Sequence, residues 1–402
     1  MDTTAKVTLT GARPGKKRIA VFLDGTWNTV NDNTNIWRLK SLLADAGSDG
    51  VPQVGYYQKG VGTTFGSYFL GGVLGSGLQD EIITAYEWLI DHYSEGDELF
   101  IFGFSRGAYT ARSLSGLISK CGLITIGAPL SVKQLYDRYR KAGVPLTIRQ
   151  LQDQQAQGKT DFGFEERWIL KYALAIDIDF LGVWDTVGAL GLPFGNLPIL
   201  GKQDMQFLNT GLRTSNKFAF HAMAINENRK IFAPTLWTVD YPNGAPPPHH
   251  HRTLDQVEQR WFIGAHANVG GGYESDPLPQ APLSWIVDRA VRLGLTFRRT
   301  IDLDPPEKPP SQIYDSWSDF AYGTYKRISP RYWRPIGPEP AASSTSEMRE
   351  NINETIDASV FARWRDDAGF RPPNLADWAG RRKVDLGKLT DSVAADTAAP
   401  IP

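Results

Sequence analysis

One stretch constrains the fold more than any other: ELFIFGFSRGAYTARSLSGLISKCG, residues 98–122. Its run Leu99-Phe100-Ile101-Phe102 has no polar alternation, as expected of a strand buried on both faces of a parallel sheet. From Ala108 the period changes. Ala111, Leu114, Ser115, Leu117 and Ile118 recur at helical spacing, and Gly122 suits a C-cap. Between the two lies Gly103-Phe104-Ser105-Arg106-Gly107. The chain must turn sharply there, and the flanking glycines remove Cβ atoms where segments close in. Strand, G-x-S-x-G, helix is the pattern of a nucleophile elbow. It predicts Ser105 on a strained turn, with backbone N–H groups of the next helix facing any oxyanion formed there.

The rest of the chain repeats the strand–helix alternation. Residues 1–15 read as a polar tail. Residues 18–23 (RIAVFL), 54–57, 180–184 (FLGVW), 235–239 and 260–264 (RWFIG) read as strands. Helices are predicted over 34–46, 78–93 and 283–293, with a Gly-rich loop over 60–77. Residues 130–172 are charged and helical, and read as an insertion that caps the sheet. The expected organisation is a catalytic domain over 16–305 and a C-terminal extension over 306–402 packed on the core. The fold class is α/β, a mainly parallel, helix-covered sheet of the α/β-hydrolase kind.

Parallel sheets bind ligands at the carboxyl ends of their strands. Three such ends carry Ser105, Asp185 and His266, and Ser…Asp…His is the chain order of α/β-hydrolases. A serine hydroxyl needs a base to take its proton, and the imidazole needs a carboxylate to fix its tautomer. His266 follows a strand and precedes Gly270-Gly271-Gly272, which let its loop bend. Glu227 and Asp240 are reserve candidates for the acid. His221, in FAFHAMAINENRKIF, reads as a structural histidine in a helical or extended core piece. The expected oxyanion donors are the N–H of Arg106 and that of Gly25 or Thr26, while Asp24 reads as a turn cap.

Composition narrows the remaining classes. The formal net charge of −1 favours no polyanion, and no nucleic-acid module is seen. The single cysteine, Cys121, excludes an intrachain disulfide and a cysteine-based zinc site. His249-His250-His251 follow three prolines and make a poor closed metal site, so neither metal nor cofactor is expected. FLDGT echoes a phosphatase D-x-D-G-T motif, but Phe22 stands where the nucleophilic aspartate is required. GVGTTFG lacks the lysine of a P-loop. No charged-then-apolar leader and no membrane-spanning stretch is seen. The expected location is cytoplasmic, or outside the cell by export without a standard signal peptide.

Five stretches together carry a family resemblance: AVFLDGTWN, LFIFGFSRGAYTAR, FLGVWDTVGALG, FIGAHANVGGGY and SVFARWRDDAGFRPPNL. They resemble a family of bacterial and fungal α/β-hydrolases that includes the catalytic domain of type VI secretion phospholipase effectors. The resemblance covers residues 17–300, with an echo over 360–375. It implies Ser105 as nucleophile, Asp185 as acid and His266 as base, and hydrolysis of lipid or phospholipid esters. The sequence departs from the family at Asn268 and Asn226, where aspartates are usual or frequent. Peripheral contact with a membrane would suit such a substrate. The competing readings are an esterase for small esters and a catalytically silent binding module on the same fold.

Overall fold

The computed structural model of the 402-residue chain describes residues 15–25, 33–60, 73–141, 146–187, 212–242, 252–301, 311–320, 323–338 and 347–401. Its strands are β1 (Arg18–Leu23), β2 (Gln53–Gln58), β3 (Glu98–Phe104), β4 (Leu123–Ile124), β5 (Ala173–Leu174) and β6 (Ile178–Trp184). They continue with β7 (Asn216–Ala224), β8 (Thr238–Pro242), β9 (Val257–Phe262), β10 (Glu347–Asn351), β11 (Glu354–Ile356) and β12 (Val393–Ala394). Eight of them form one sheet in the order β12-β11-β9-β7-β6-β3-β1-β2. Every pairing in it is parallel except β11 with β12.

The chain runs from β1 outward to β2, then returns to the other side of β1 with β3 and continues away from it. The order therefore reverses between β1 and β3. A crevice opens at such a switch point, beyond the carboxyl ends of the two strands. Ser105 follows β3 directly.

Side-chain alternation explains why these strands read as unbroken apolar runs. Along β1, Ile19, Val21 and Leu23 enter one core and Ala20 and Phe22 the other. Along β3, Leu99 and Ile101 face the first core, while Phe100, Phe102 and Phe104 face the second. Helices cover both faces, as parallel sheets require. The first core is closed by α2 (Val73–His92) and α3 (Arg106–Cys121), the second by α1 (Asn35–Leu42) and α8 (Gln280–Arg292). Thr34 caps α1 by accepting the Trp37 N–H at 3.1 Å.

A third core lies toward the β11–β12 edge. Met223, Ile225, Trp261 and Ile356 pack there against Val360, Phe361, Leu375 and Trp378. The last four belong to helices later in the chain, Ala358–Asp366 and Pro373–Arg382. Residues beyond 305 thus supply two strands of the main sheet and much of this core.

Several boundaries differ from the sequence reading. The helix expected from residue 78 starts at Val73, inside the segment read as a Gly-rich loop. Residues 61–72 lie outside the described part. The piece around His221 is β7, a central strand between β6 and β9. The strand expected at 235–239 is β8, which pairs with β10 in a separate two-stranded ribbon.

The insertion over 130–172 forms α4 (Val132–Arg140), α5 (Ile148–Ala156) and α6 (Phe164–Tyr172). It lies away from the elbow. Tyr139 packs beside Gly116, the Cys121 thiol contacts the Leu135 carbonyl at 3.7 Å, and Arg149 pairs with Asp177 ahead of β6. Those contacts fall along the middle and C-terminal half of α3 and at the amino ends of the strands. Its apolar stripe, Val132, Leu135, Tyr136 and Tyr139, is spent on the first core.

Candidate active site

The elbow forms as the sequence predicts. Ser105 stands between β3 and α3 with φ 59° and ψ −121°, a left-handed conformation unusual for a residue with a Cβ. The neighbouring glycines are required by packing. A Cβ on Gly107 would lie 2.1 Å from the Leu23 carbonyl oxygen, and one on Gly103 would lie 2.5 Å from that of Gly107. The end of β1 and the first turn of α3 therefore press together at the switch point.

Asp185 ends β6 in the same manner, with φ 39° and no solvent exposure. His266 opens the short helix α7 (His266–Gly270), just beyond β9. The three strand ends converge. His266 Nε2 lies 2.8 Å from Ser105 Oγ, and His266 Nδ1 lies 2.5 Å from Asp185 Oδ2. With Nδ1–H donated to the carboxylate, Nε2 presents its lone pair to the serine hydroxyl. The imidazole ring is flanked by Phe104 at 4.7 Å and Phe232 at 4.9 Å between centroids.

The Asp185 carboxylate is held from further directions. Oδ1 accepts the Ala224 N–H at 2.9 Å. Arg334 donates Nη1 to Oδ1 at 2.6 Å and Nη2 to Oδ2 at 2.9 Å, and both residues are fully buried. Burial alone would push this carboxyl up. The Arg334 guanidinium and the His266 hydrogen bond outweigh it and hold the group below the usual carboxylate range.

Glu227, a reserve candidate for the acid, contacts the backbone of His266 rather than its ring. Its Oε2 accepts the His266 N–H at 3.2 Å and the Ser316 hydroxyl at 2.9 Å. Arg229 binds both its oxygens at 2.8 Å. The other reserve, Asp240, falls on β8, outside the eight-stranded sheet. His221 is buried in β7, where Nε2 accepts the Thr186 N–H at 3.0 Å. Burial, with Arg112 nearby, brings its pKa down to about 3, so it is a neutral structural acceptor.

Of the two N–H groups expected as the second oxyanion donor, one is engaged within its own turn and the other lies outside the described residues. The Gly25 N–H is turned onto its neighbour, donating to Asp24 Oδ1 at 2.7 Å. Asp24 also accepts from the Thr34 and Tyr57 hydroxyls, as a carboxylate that braces this turn. Thr26 lies outside the described residues, as do His249, His250 and His251. Arg106 is the first residue of α3, directly after Ser105.

Asn226 and Asn268 both hold backbone. Asn226 Oδ1 accepts the Gly264 N–H at 2.9 Å. Asn268 Oδ1 accepts the Ala265 N–H at 3.0 Å, and its amide donates to Asp276 at 2.7 Å, a bond a carboxylate could not make.

Among the described residues no cluster of three or more His, Cys, Asp or Glu could hold a metal ion. No described helix is long and apolar enough to cross a membrane.

Comparison with known proteins places this site in context. The profile of the family described as "T6SS, Phospholipase effector Tle1-like, catalytic domain" matches residues 17–289. An uncharacterized protein of Saccharomyces cerevisiae, YEL023C, is 28% identical over 239 residues, covering 55% of this chain and 33% of its own. A crystal structure of an uncharacterized protein from Pseudomonas aeruginosa overlaps 70% of this chain and 46% of its own, at 19% identity and TM-score 0.43. The Tle1 effector bound to the VgrG spike from the type VI secretion system overlaps 67% of this chain and 53% of its own, at 18% identity and TM-score 0.33. The chain spans about a third to a half of the length of these proteins. Ser105, Asp185 and His266 fall inside the matched region, whereas Arg334 lies beyond it. With well over half of its residues in that match, the chain belongs to the Tle1-like phospholipase effector family of the type VI secretion system, in its catalytic domain.

Proposed function

We propose that the chain is a serine hydrolase that cleaves carboxylic acyl esters of lipids, phospholipids included, through an acyl-enzyme. One observation carries the reading: the hydrogen-bonded line Ser105 Oγ, His266, Asp185 at 2.8 and 2.5 Å on the strained elbow. In the first half-reaction Ser105 Oγ attacks the ester carbonyl carbon while His266 Nε2 takes the hydroxyl proton. Asp185 stabilises the imidazolium that forms. The tetrahedral oxyanion is met by the backbone N–H of Arg106, at the start of α3. The intermediate collapses, the C–O bond to the leaving alcohol breaks, and Nε2 protonates that alcohol. Water then attacks the acyl-serine by the same base, releasing the fatty acid and restoring Ser105.

The lipid part of the proposal rests on the family. Each acyl methylene buried would contribute about 0.8 kcal/mol, so kcat/KM should climb with chain length beyond about four carbons. Residues 61–72 of the Gly-rich stretch lie outside the described residues.

The test is a hydrolysis panel running from short p-nitrophenyl esters to defined phospholipids. Ser105→Ala should lower kcat by roughly 10⁴ to 10⁶-fold in a folded protein. Near-normal turnover in that variant would sink the serine mechanism. A preference for acetyl or butyryl esters with no fatty acid released from phospholipid would leave a small-ester esterase. No turnover of any ester, with no reaction at Ser105 toward a fluorophosphonate, would leave a binding module.

A further inference from the structure

Arg334 belongs to no pattern that marks the active site. It lies 149 residues beyond Asp185 and outside the region matched by the family. Yet its guanidinium is fully buried and spans both oxygens of the Asp185 carboxylate. The same fork also donates to the Ala224 carbonyl at 2.8 Å and the Phe232 carbonyl at 2.5 Å. Ala224 closes β7 and supplies the N–H that grips Asp185 Oδ1. Phe232 packs its ring on the edge of His266. One side chain thus ties together the acid, the strand end beneath it and the aromatic wall of the base.

Arg334 is itself fixed. The Asn374 amide donates to its carbonyl at 3.1 Å and to that of Ile225 at 3.0 Å, joining the segment to the end of β7. Two residues on, Ile336 is buried in the third core and its carbonyl accepts from Arg381 at 2.7 Å.

We propose that Arg334 is a positioning residue of the reaction: it locks the Asp185 carboxylate toward His266 and offsets its charge, so that the imidazole enters each cycle unprotonated and ready to act as base. The proposal rests on the Ser105–His266–Asp185 reading given above. The surroundings of His266 support it. Glu227 faces its backbone but is neutralised by Arg229, which also lies over the Phe232 ring at 3.6 Å. His221, in the field of both Asp185 and Arg334, is neutral. Among the described residues, Asp185 is therefore the carboxylate in contact with the ring, and Arg334 is the cation in contact with that carboxylate. Take the cation away, and a buried, uncompensated carboxylate will hold a proton on the imidazole beside it.

The experiment measures two quantities from pH 5 to 9 for the intact chain, Arg334→Gln and Arg334→Lys. One is kcat/KM on a p-nitrophenyl ester. The other is the second-order rate at which a fluorophosphonate labels the protein, with Ser105→Ala as the control. Glutamine keeps an N–H donor and loses the charge, so the acid limb of both profiles should move up by about one pH unit or more. On the low side of that limb the loss should exceed the loss at pH 9 by roughly 10-fold. Lysine keeps the charge and loses the fork, so the limb should stay in place while the plateau falls. A Gln profile that is scaled down but not displaced would overturn the proposal and leave Arg334 as a structural prop. Should Arg334→Gln fail to fold, Arg334→Lys decides: an unmoved limb supports the charge role, and a displaced one overturns it. Labelling that persists in Ser105→Ala would instead refute the serine mechanism beneath it.

Discussion

Replacing Glu227 with glutamine tests whether the loop carrying His266 is held by a charge. The carboxylate is fully buried and lies between Arg229, Ser316 and the His266 N–H. Burial alone would raise its pKa. The Arg229 guanidinium, in Coulombic and hydrogen-bonded contact, brings it down to about 2 from an ordinary value of 4.5. A carboxylate so lowered contributes ~3 kcal/mol at neutral pH, and breaking a buried pair by removing one partner costs roughly 3–5 kcal/mol. For a chain of 402 residues, at ~2.1 cal/mol/K of unfolding entropy per residue, that lowers Tm by roughly 4–6 °C. The sign with pH follows from a folded pKa below the unfolded one. The stabilisation is complete above pH 4.5 and is lost as pH falls through 2. Thermal melts of parent and Glu227→Gln should therefore differ by a constant gap from neutral pH down to about pH 5, and by less than half of it near pH 3. A variant melting within about 1 °C of the parent at pH 7, or a gap unchanged at pH 3, would refute the charged pair.

Two further substitutions separate packing from chemistry around His266. A Cβ on Gly270 would sit 2.0 Å from the Phe104 ring, which lies tilted against the imidazole. Gly270→Ala should cost roughly 1–3 kcal/mol in a denaturant titration and, by moving the base, on the order of 10²-fold in kcat/KM; a stable, fully active variant would show that the ring contact positions nothing. His221→Ala should orphan the Thr186 N–H and lower stability by about 1–3 kcal/mol, while kcat per folded molecule stays within about 10-fold of the parent. A loss comparable to that of Ser105→Ala would move the base role to His221.

The parts of the site that the sequence reveals are those built by short-range rules. Ser105, Asp185 and His266 each follow an apolar run that reads as a strand, and a parallel sheet brings strand ends together whatever their separation in the chain. The elbow needs only glycines at fixed offsets, and Gly103 and Gly107 meet backbone where expected. β7 was ambiguous because both its faces are covered, so FAFHAMA shows neither alternation nor a helical stripe. β11 is three residues, Glu354–Ile356, too short to carry any period. The insertion illustrates a different limit. The amphipathic pattern of α4 says that one face will be buried. It does not say against what, and the answer is the flank of α3 rather than the carboxyl end of the sheet.

Arg334 was illegible for a reason that also explains its place. Nothing local distinguishes Arg334 in YWRPIG from any exposed arginine, and in most proteins a guanidinium is exposed. Its burial is legible only from the carboxylate it meets. Asp185, at a strand end, is taken out of water, and isolated burial of that charge would cost several kcal/mol. The sheet supplies one N–H, from Ala224, and His266 a second donor. The remaining charge has to be met by a cation from outside the strands that build the site. Residues 323–338 bring it, anchored through Asn374 and the third core. Glu227 and Arg229 solve the same problem two residues apart, on one loop. The first pair steadies the His266 ring through Asp185, and the second steadies its backbone. His266 is thus braced from two sides by ion pairs that are each neutral as a unit, and in the proposed mechanism the line from Nε2 to Ser105 is the part of the network left to move a proton.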